Sequence, residues 1–132
     1  MTPDRVGAVI IQDGKILLVT GHDMDLYWTP GGRIEDGEDH KTTLRRELQE
    51  ELGVELVQMT PFVTYKAPRT TTGEMRTVYI YFADITGEPV PAEEIKAFVW
   101  YGLAEYKAQK PPVKEHTYKR VIRHLAEHGF LH

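Results

Sequence analysis

Residues 32–54 read GRIEDGEDHKTTLRRELQEELGV, and the spacing of the glycines and charged residues in this stretch is the most informative feature of the chain. The specified positions are Gly32, Glu38, Arg46, Glu47, Glu50, Glu51 and Gly53. With each residue type at about 5–10% of average usage, seven such positions coincide at one starting point roughly once in 10^8 by chance. The spacing therefore indicates a shared structural and chemical task.

The second half of this stretch is predicted to be an α-helix with one apolar and one acidic side. Residues 41–52 lack Gly and Pro, are rich in Leu, Arg, Glu and Gln, and are followed by Gly53. Residues three and four apart share a helix face, so Glu47, Glu50 and Glu51 project together. Leucines at every fourth position point in a different direction, where we expect the core.

The three glutamates favour a divalent cation as their partner. Neighbouring carboxylates repel one another, and a cation offsets that repulsion. Ligand sets made only of oxygen suit hard ions such as Mg²⁺ or Mn²⁺, which proteins hold through carboxylates, waters and substrate phosphates. We therefore expect Glu47, Glu50 and Glu51 to bind metal, with the backbone at Gly32 and Gly37 close enough to join them. The alternative is a solvated acidic face balanced by the neighbouring arginines.

The same stretch matches the Nudix box in every defining position, and residues 27–30 (YWTP) resemble the strand and turn that lead into it. The box covers less than a fifth of the chain, but the order of predicted elements outside it also resembles a Nudix domain. The resemblance implies an α+β fold, the α/β/α Nudix sandwich, with a mixed β-sheet packed between helices. It also implies hydrolysis of a nucleoside diphosphate linked to another moiety.

The resemblance assigns roles within the box. Glu50 and Glu51 are the first choices for metal ligands, and Glu47 is either a third ligand or the base that takes a proton from the attacking water. Arg46 is expected to pair with Glu47 or Glu38 and to orient them, with direct phosphate contact as the alternative. Glu38 is expected to cap the start of the motif helix, where a carboxylate is favoured.

Family members often add a carboxylate from a loop beyond the box. Glu93 and Glu94 are the candidates for this catalytic role, and Glu94 is preferred. The alternative is that both are exposed acids in a loop bounded by prolines.

Residues outside the box are expected to select the substrate. Tyr27 and Trp28 are candidates for stacking on a base, although such residues more often belong to the core or its rim. Arg69 and Arg76 border a polar loop predicted over residues 66–74 and are candidates for contact with a base or a terminal phosphate. The favoured substrate is a (deoxy)nucleoside triphosphate, as for compact MutT-like members. ADP-ribose, a nucleotide sugar, a dinucleoside polyphosphate, or a non-catalytic nucleotide-binding role are the alternatives.

The rest of the chain predicts a mixed arrangement of strands and one further helix. Asp13-Gly14 predicts a hairpin turn, and Gly129 is expected to end the second helix. The histidines near the C-terminus are expected at the surface. The predicted strands cover residues 6–12, 15–20, 55–65, 76–86 and 95–101, and the predicted second helix covers residues 114–128.

Composition limits the classes of protein to consider. The chain of 132 residues is 41% hydrophobic and suits one domain spanning residues 1–132. A net charge of −4 argues against a stable nucleic-acid partner, and the absence of cysteine excludes disulfides and thiolate zinc sites. With neither a leader nor a long apolar stretch, we expect a cytoplasmic protein without a membrane partner. We expect a small-molecule nucleotide as its substrate, and since Nudix proteins are often dimers, a homodimer is the oligomer to test.

Overall fold

The computed structural model describes residues 3–22, 24–69 and 71–132, so Met1, Thr2, Asp23 and Thr70 lie outside it. Its strands are β1 (Arg5–Val9), β2 (Ile11–Gln12), β3 (Lys15–Gly21), β4 (Gly31–Arg33), β5 (Glu55–Pro68), β6 (Met75–Thr86) and β7 (Ile95–Tyr101). Its helices are α1 (His40–Leu52), α2 (Leu103–Ala108), α3 (Glu115–Thr117) and α4 (Arg123–Glu127), with a π-helical turn over Tyr118–Ile122 between the last two.

The strands form two sheets instead of the single sheet that the sequence predicts. One is mixed and has the order β4-β1-β6-β5, with β1 and β6 parallel, and the other is antiparallel with the order β2-β3-β7. Two clusters of buried side chains flank the strands, one against α1 and one against the C-terminal helical segment. Alternate residues of β1 and β3 enter different clusters, as expected when both faces of a sheet are covered. The α+β sandwich is therefore confirmed, with two sheets as its middle layer.

The predicted strand over residues 6–12 is wrong in one respect, because the chain changes sheets at Ile10. Before it, β1 pairs with β6 and β4; after it, β2 pairs with β3. The predicted hairpin turn is present, since Asp13 and Gly14 both have positive φ (51° and 76°) between Gln12 and Lys15. The hydrophobic pattern is continuous across Ile10 because that side chain is itself buried.

Helix α1 has the predicted limits, apart from one more residue at its start. Its N-terminus is capped by Asp39, whose side chain accepts a hydrogen bond from the Thr42 N–H at 2.8 Å, so the expectation that Glu38 is the capping acid is wrong. Gly53 ends it in the left-handed conformation (φ 66°). Its three periodic leucines are completely buried, which stabilises the fold by roughly 1.5–3 kcal/mol each. They are Leu44, Leu48 and Leu52.

The second predicted helix is also present, as α3, the π-helical turn and α4. Its apolar residues Val121, Ile122 and Leu125 are fully buried. Strand β5 continues three residues beyond its predicted end, which shortens the polar loop, and the short elements β4 and α2 were not predicted. Within the described residues, every helix is too short or too polar to span a bilayer.

Candidate active site

A cleft of about 640 Å³ opens where β4, the acidic side of α1 and the starts of β1 and β6 meet. All predicted site residues line it except Tyr27, Gly37 and Glu93, the less favoured of the two loop acids. The predicted residues in its lining are Trp28, Gly32, Arg46, Glu47, Glu50, Glu51, Arg69, Arg76 and Glu94. Folding therefore brings residues before and after the motif in the sequence, from Trp28 to Glu94, close to the motif helix.

Glu51 is a buried carboxylate at the floor of the cleft. Only 5% of the residue is exposed, and its Oε1 accepts a hydrogen bond from the Gly31 N–H at 3.1 Å. Gly31 has φ 145°, and a Cβ atom there would lie 2.1 Å from the Val6 carbonyl oxygen, so only glycine fits. Burial raises the pKa of Glu51 to about 8, while nearby Arg5 opposes this shift and Glu47 adds to it. A cation near Glu51 would favour its charged form.

Glu47 lies one helix turn before Glu51 and packs directly on Gly32. A Cβ atom built on Gly32 would lie 2.3 Å from the Glu47 carboxyl carbon, so the absence of a side chain at Gly32 makes room for this carboxylate. Burial raises the pKa of Glu47, and the hydrogen bond from Arg46 lowers it in part. The two carboxylates of Glu47 and Glu51 thus share a partly desolvated part of the cleft.

Arg46 holds both of the acids that the sequence offers as alternative partners. Its Nε and Nη2 atoms donate to the two carboxylate oxygens of Glu38 at 2.8 and 2.9 Å, and Nη1 donates to Glu47 Oε1 at 2.7 Å. Nη2 also donates to the Arg33 carbonyl oxygen at 3.2 Å. Because a guanidinium has five N–H groups, these bonds leave little capacity for a phosphate contact. The predicted orienting interaction is present.

Glu38 holds the Arg46 guanidinium in place. The bidentate hydrogen bond from Arg46 is the largest cause that lowers the pKa of Glu38 to about 2. The Glu38 carboxylate also accepts hydrogen bonds from the Thr43 hydroxyl and from the Glu35 N–H. Glu38 therefore fixes Arg46, which in turn fixes Glu47.

Glu50 differs from the other two glutamates because its side chain is about half exposed. Its carboxylate lies 3.5 Å from Arg46 Nη1 at the rim of the cleft. Among residues 3–22, 24–69 and 71–132, no three carboxylate or imidazole side chains already form a ligand group. The donors nevertheless fit a hard divalent cation, because Glu47, Glu50 and Glu51 offer only oxygen, Glu51 is buried and Glu47 is partly buried.

A second wall of the cleft is basic, and two of its four residues were not predicted. Beside the predicted Arg69 and Arg76 lie Arg5 and Lys114. Arg5 donates to the Thr29 carbonyl oxygen at 2.6 Å, and Lys114 Nζ lies 4.2 Å from the centre of the Trp28 ring. These two residues are more than 100 positions apart in the sequence and belong to no spacing motif, so only the fold brings them together.

Burial lowers the pKa values of two residues of this basic wall without removing their charge at neutral pH. It lowers the pKa of Arg76 to about 10 and that of Lys114 to about 8, and nearby Arg5 lowers both further. The Arg76 Nε atom is buried and has no hydrogen-bond partner among the described residues. The wall is therefore a site where positive charge is held close together.

Several expectations about individual residues need correction. Gly37 lies in an exposed turn with φ 80° and does not line the cleft, so its predicted metal contact is not supported. Tyr27 packs against the buried cluster beside the C-terminal helix and does not line the cleft, so its predicted stacking on a base is not supported either. Trp28 lines the cleft but is only 6% exposed, and Lys114 covers its ring. His116 is half-buried against Tyr65 instead of lying at the surface.

The two acids beyond the box are separated by the fold. Glu94 lines the cleft, 3.9 Å from His22 Nε2, and its side chain is about half exposed. Glu93 does not line the cleft, and its backbone has φ 54°. The preference for Glu94 is consistent with its position.

Comparison with known proteins places the chain among well-defined relatives. The family model of the NUDIX domain matches residues 1–125. The chain is similar to a putative 8-oxo-dGTP diphosphatase of Bacillus subtilis (strain 168), with 29% identity over 85 residues that cover 64% of this chain and 54% of that relative. The match thus spans about half the length of that relative.

Two other matches cover nearly the whole chain. An RNA pyrophosphohydrolase of Sulfurovum sp. (strain NBC37-1) is 31% identical over an alignment of 148 positions, gaps included, which covers 96% of this chain and 94% of the relative. The crystal structure of a MutT NUDIX hydrolase from Burkholderia pseudomallei is similar with a TM-score of 0.77 and 27% identity, over 89% of this chain and 93% of that one. The family model and these two matches therefore agree on the NUDIX domain for this chain.

Proposed function

The chain belongs to the Nudix family of hydrolases, which act on the diphosphate bonds of nucleoside diphosphate derivatives, and we propose that it is a divalent-metal-dependent pyrophosphohydrolase of (deoxy)nucleoside triphosphates. The observation that carries this proposal is the division of one cleft into an acidic wall on α1 and a basic wall of Arg5, Arg69, Arg76 and Lys114. A chain of phosphates carries several negative charges, so it needs a cation at the carboxylates and finds further cations opposite them.

The proposed cofactor is Mg²⁺ or Mn²⁺, held by Glu50 and Glu51 with Glu47 as a third ligand or as the general base. Such an ion supplies positive charge for phosphoryl oxygens and makes water more acidic. The protein's own contribution is to fix the carboxylates: the Gly31 N–H holds Glu51, and Arg46 holds Glu47. If Glu47 is the base, the hydrogen bond from Arg46 to one of its oxygens orients the carboxylate that receives the proton from water.

Glu94 is proposed to support this step from the other side of the cleft. Its carboxylate is close enough to raise the pKa of Glu51, although burial of Glu51 is the largest cause of that shift. Glu94 acts either as a further ligand or as a base. Substitution by Gln tests both roles, because the amide has neither the negative charge of a carboxylate ligand nor the ability to accept a proton.

The triphosphate is preferred over a nucleotide sugar or ADP-ribose because of the basic wall. Beyond its diphosphate a nucleotide sugar carries a neutral group, which does not offset the positive charge of four basic side chains. The names of the two curated relatives refer to 8-oxo-dGTP and to RNA, and both agree with a substrate that ends in phosphates. The complete set of Glu47, Glu50 and Glu51 argues against a non-catalytic binding module.

A substrate panel tests the proposed function. Purified protein is incubated with Mg²⁺ or Mn²⁺ and with dNTPs, NTPs, 8-oxo-dGTP, ADP-ribose, UDP-sugars and dinucleoside polyphosphates, and phosphorus NMR identifies the products. We expect triphosphates to give a nucleoside monophosphate and pyrophosphate, with at least tenfold higher kcat/KM than the other classes. The Glu51→Gln variant should be inactive. Equal turnover of sugar nucleotides, or no turnover of any substrate, would contradict the proposal.

Three broader inferences accompany it. We propose that residues 1–132 act as one catalytic domain, that the protein works in the cytoplasm where nucleoside triphosphates are made, and that two copies form a homodimer. Light scattering of the purified chain tests the last of these, because a monomer has half the mass of a dimer.

A further inference from the structure

The basic wall of the cleft brings several positively charged side chains close together, among them Arg5, Arg76 and Lys114. Arg5 and Arg76 each lower the pKa of Lys114 and of His116, so these cations lie within Coulombic range of one another. Burial and two neighbouring arginines lower the pKa of Arg76, and the Asp4 carboxylate offsets only a small part of that change. Like charges held together and partly desolvated destabilise a fold, which indicates that a ligand offsets them.

Arg76 gives the clearest sign of where that ligand binds. Arg76 is the second residue of β6, and its side chain lines the cleft. Its buried Nε has no hydrogen-bond partner among the described residues. A buried charged donor that makes no hydrogen bond is unfavourable, and a ligand that accepts the bond removes this cost. A planar guanidinium presents paired N–H groups that match two oxygens of a phosphate.

The wall is also continuous with the acidic side of the cleft. Arg5 lies within Coulombic range of both Glu47 and Glu51 and lowers the pKa of each. One extended ligand can therefore contact the carboxylates at one end and the arginines at the other. A neutral base edge offers acceptors but no charge, whereas a phosphate offers both, so the cluster favours a phosphate.

We propose that Arg5, Arg76 and Lys114 form a second anion site, which binds a phosphate group additional to the two phosphates of the scissile diphosphate. This inference rests on the proposed function, because it assumes that the scissile diphosphate lies at the glutamates. The additional phosphate comes either from the end of the 5′ chain, as in a nucleoside triphosphate, or from the ribose, as in a 3′-phosphorylated nucleotide or an RNA end.

Binding of matched ligand pairs tests this site. In buffer with Mg²⁺ and about 0.15 M salt, where screening limits long-range attraction, calorimetry compares the α,β-methylene analogues of dGDP and dGTP, which resist hydrolysis, and compares AMP with adenosine 3′,5′-bisphosphate. Each pair differs by one phosphate. We expect the additional phosphate to tighten binding at least tenfold in one pair, and the pair that responds identifies the source.

Variants assign the effect to the wall. Arg76→Gln and Lys114→Gln should reduce the tenfold difference to less than threefold, while the ligand with fewer phosphates binds within about twofold of the wild-type value. The control is Arg45→Gln, which removes the same charge from an exposed position on α1 outside the cleft and should keep the difference. Arg76→Gln should unfold at the same temperature as the wild type or higher, because it removes a half-buried charge.

The outcomes separate this site from the proposed function. No difference within either pair for the wild-type protein, or equal weakening of both members by Arg76→Gln and Lys114→Gln, would overturn the second anion site. If triphosphates are not hydrolysed but the additional phosphate still tightens binding, the proposed function fails and the anion site remains. If triphosphates are hydrolysed and the additional phosphate does not tighten binding, the proposed function stands and the second anion site fails.

Discussion

Replacing Gly32 by Ala is expected to remove most of the activity while leaving the fold nearly as stable. The added Cβ atom would lie 2.3 Å from the carboxyl carbon of Glu47, whereas ordinary contacts begin at 3.4 Å. The carboxylate must therefore retreat by about 1 Å. Its end is mobile, but Arg46 holds it at 2.7 Å, so the movement also disturbs the orienting hydrogen bond.

The magnitude follows from this displacement. A catalytic group misplaced by about 1 Å costs about 100-fold in rate, which is about 2.7 kcal/mol of transition-state stabilisation. Stability should change much less. Gly32 does not have a positive φ, so its backbone conformation suits alanine, and its pairing with Val6 is retained. We expect the free energy of unfolding to fall by about 1 kcal/mol, the size of a weakened hydrogen bond.

Gly37→Ala is the matched control, because it should lower stability by a similar or larger amount while leaving activity nearly unchanged. Gly37 has no atom within 4 Å of an added Cβ, but its φ of 80° is unfavourable for alanine by about 1 kcal/mol or more. Its turn lies outside the cleft, so kcat/KM should stay within about threefold of the wild type. Steady-state kinetics on the best substrate and urea denaturation measure both quantities for both variants.

Two results would refute this reasoning. One is a Gly32→Ala protein with kcat/KM within threefold of the wild type. The other is additivity in a double-mutant cycle: Gly32→Ala acts through Glu47, so it should have almost no further effect in a Glu47→Ala background. If the two losses add, the contact between this glycine and this glutamate is not the cause.

Three further predictions concern neighbouring groups. Glu51→Gln should be inactive but more stable than the wild type in EDTA, by about 3 kcal/mol at most at pH 7, because burial raises the pKa of Glu51 to about 8. This gain in stability should grow as pH rises from 4.5 to 8 and vanish below 4.5. Thermal melts that show no gain at pH 7.5 would count against the prediction. The control is Glu50→Gln, which changes an exposed glutamate. Arg46→Lys should lower kcat at least tenfold with KM little changed, since one ammonium cannot replace the bonds to Glu38 and Glu47; an unchanged kcat would contradict this. His116, whose pKa burial lowers to about 4, should make stability fall as pH drops from 6.5 toward 4, because the unfolded chain takes up a proton first. After allowance for solvent screening the loss is about 1–2 kcal/mol, and melts of His116→Gln should lack it.

The sequence predicts most reliably what neighbouring residues determine. The limits of α1 depend on Asp39, Gly53 and a leucine repeat that all lie in one segment, and the structure agrees with them within a residue. The continuous strand over residues 6–12 is wrong because its division depends on β6 and β4, which lie far away in the sequence. Local pattern cannot report which sheet a strand joins, since both sheets bury the same kind of side chain.

The same distinction applies to the cleft. Arg46 was expected to pair with one of two acids, and it pairs with both because a guanidinium has enough donors for two carboxylates. Arg5 and Lys114 were not predicted, since no spacing relates them and each looks like an ordinary surface charge in the sequence. Gly37 was predicted to reach a metal because turn glycines and glycines beside a ligand share the same local signal.

The spacing of the motif in this chain can be understood as a packing requirement between β4 and α1. Each of the two glycines of β4 accommodates one glutamate of α1: the Gly31 N–H donates to Glu51, and the empty position beside Gly32 receives the Glu47 carboxylate. Glu47 and Glu51 are four residues apart, one helix turn, so both face the same strand. A longer or shorter connection between Gly32 and Glu47 would move both carboxylates away from both glycines at once. Glu50 escapes this constraint because it points toward the rim, which explains why it is exposed although it is part of the same motif.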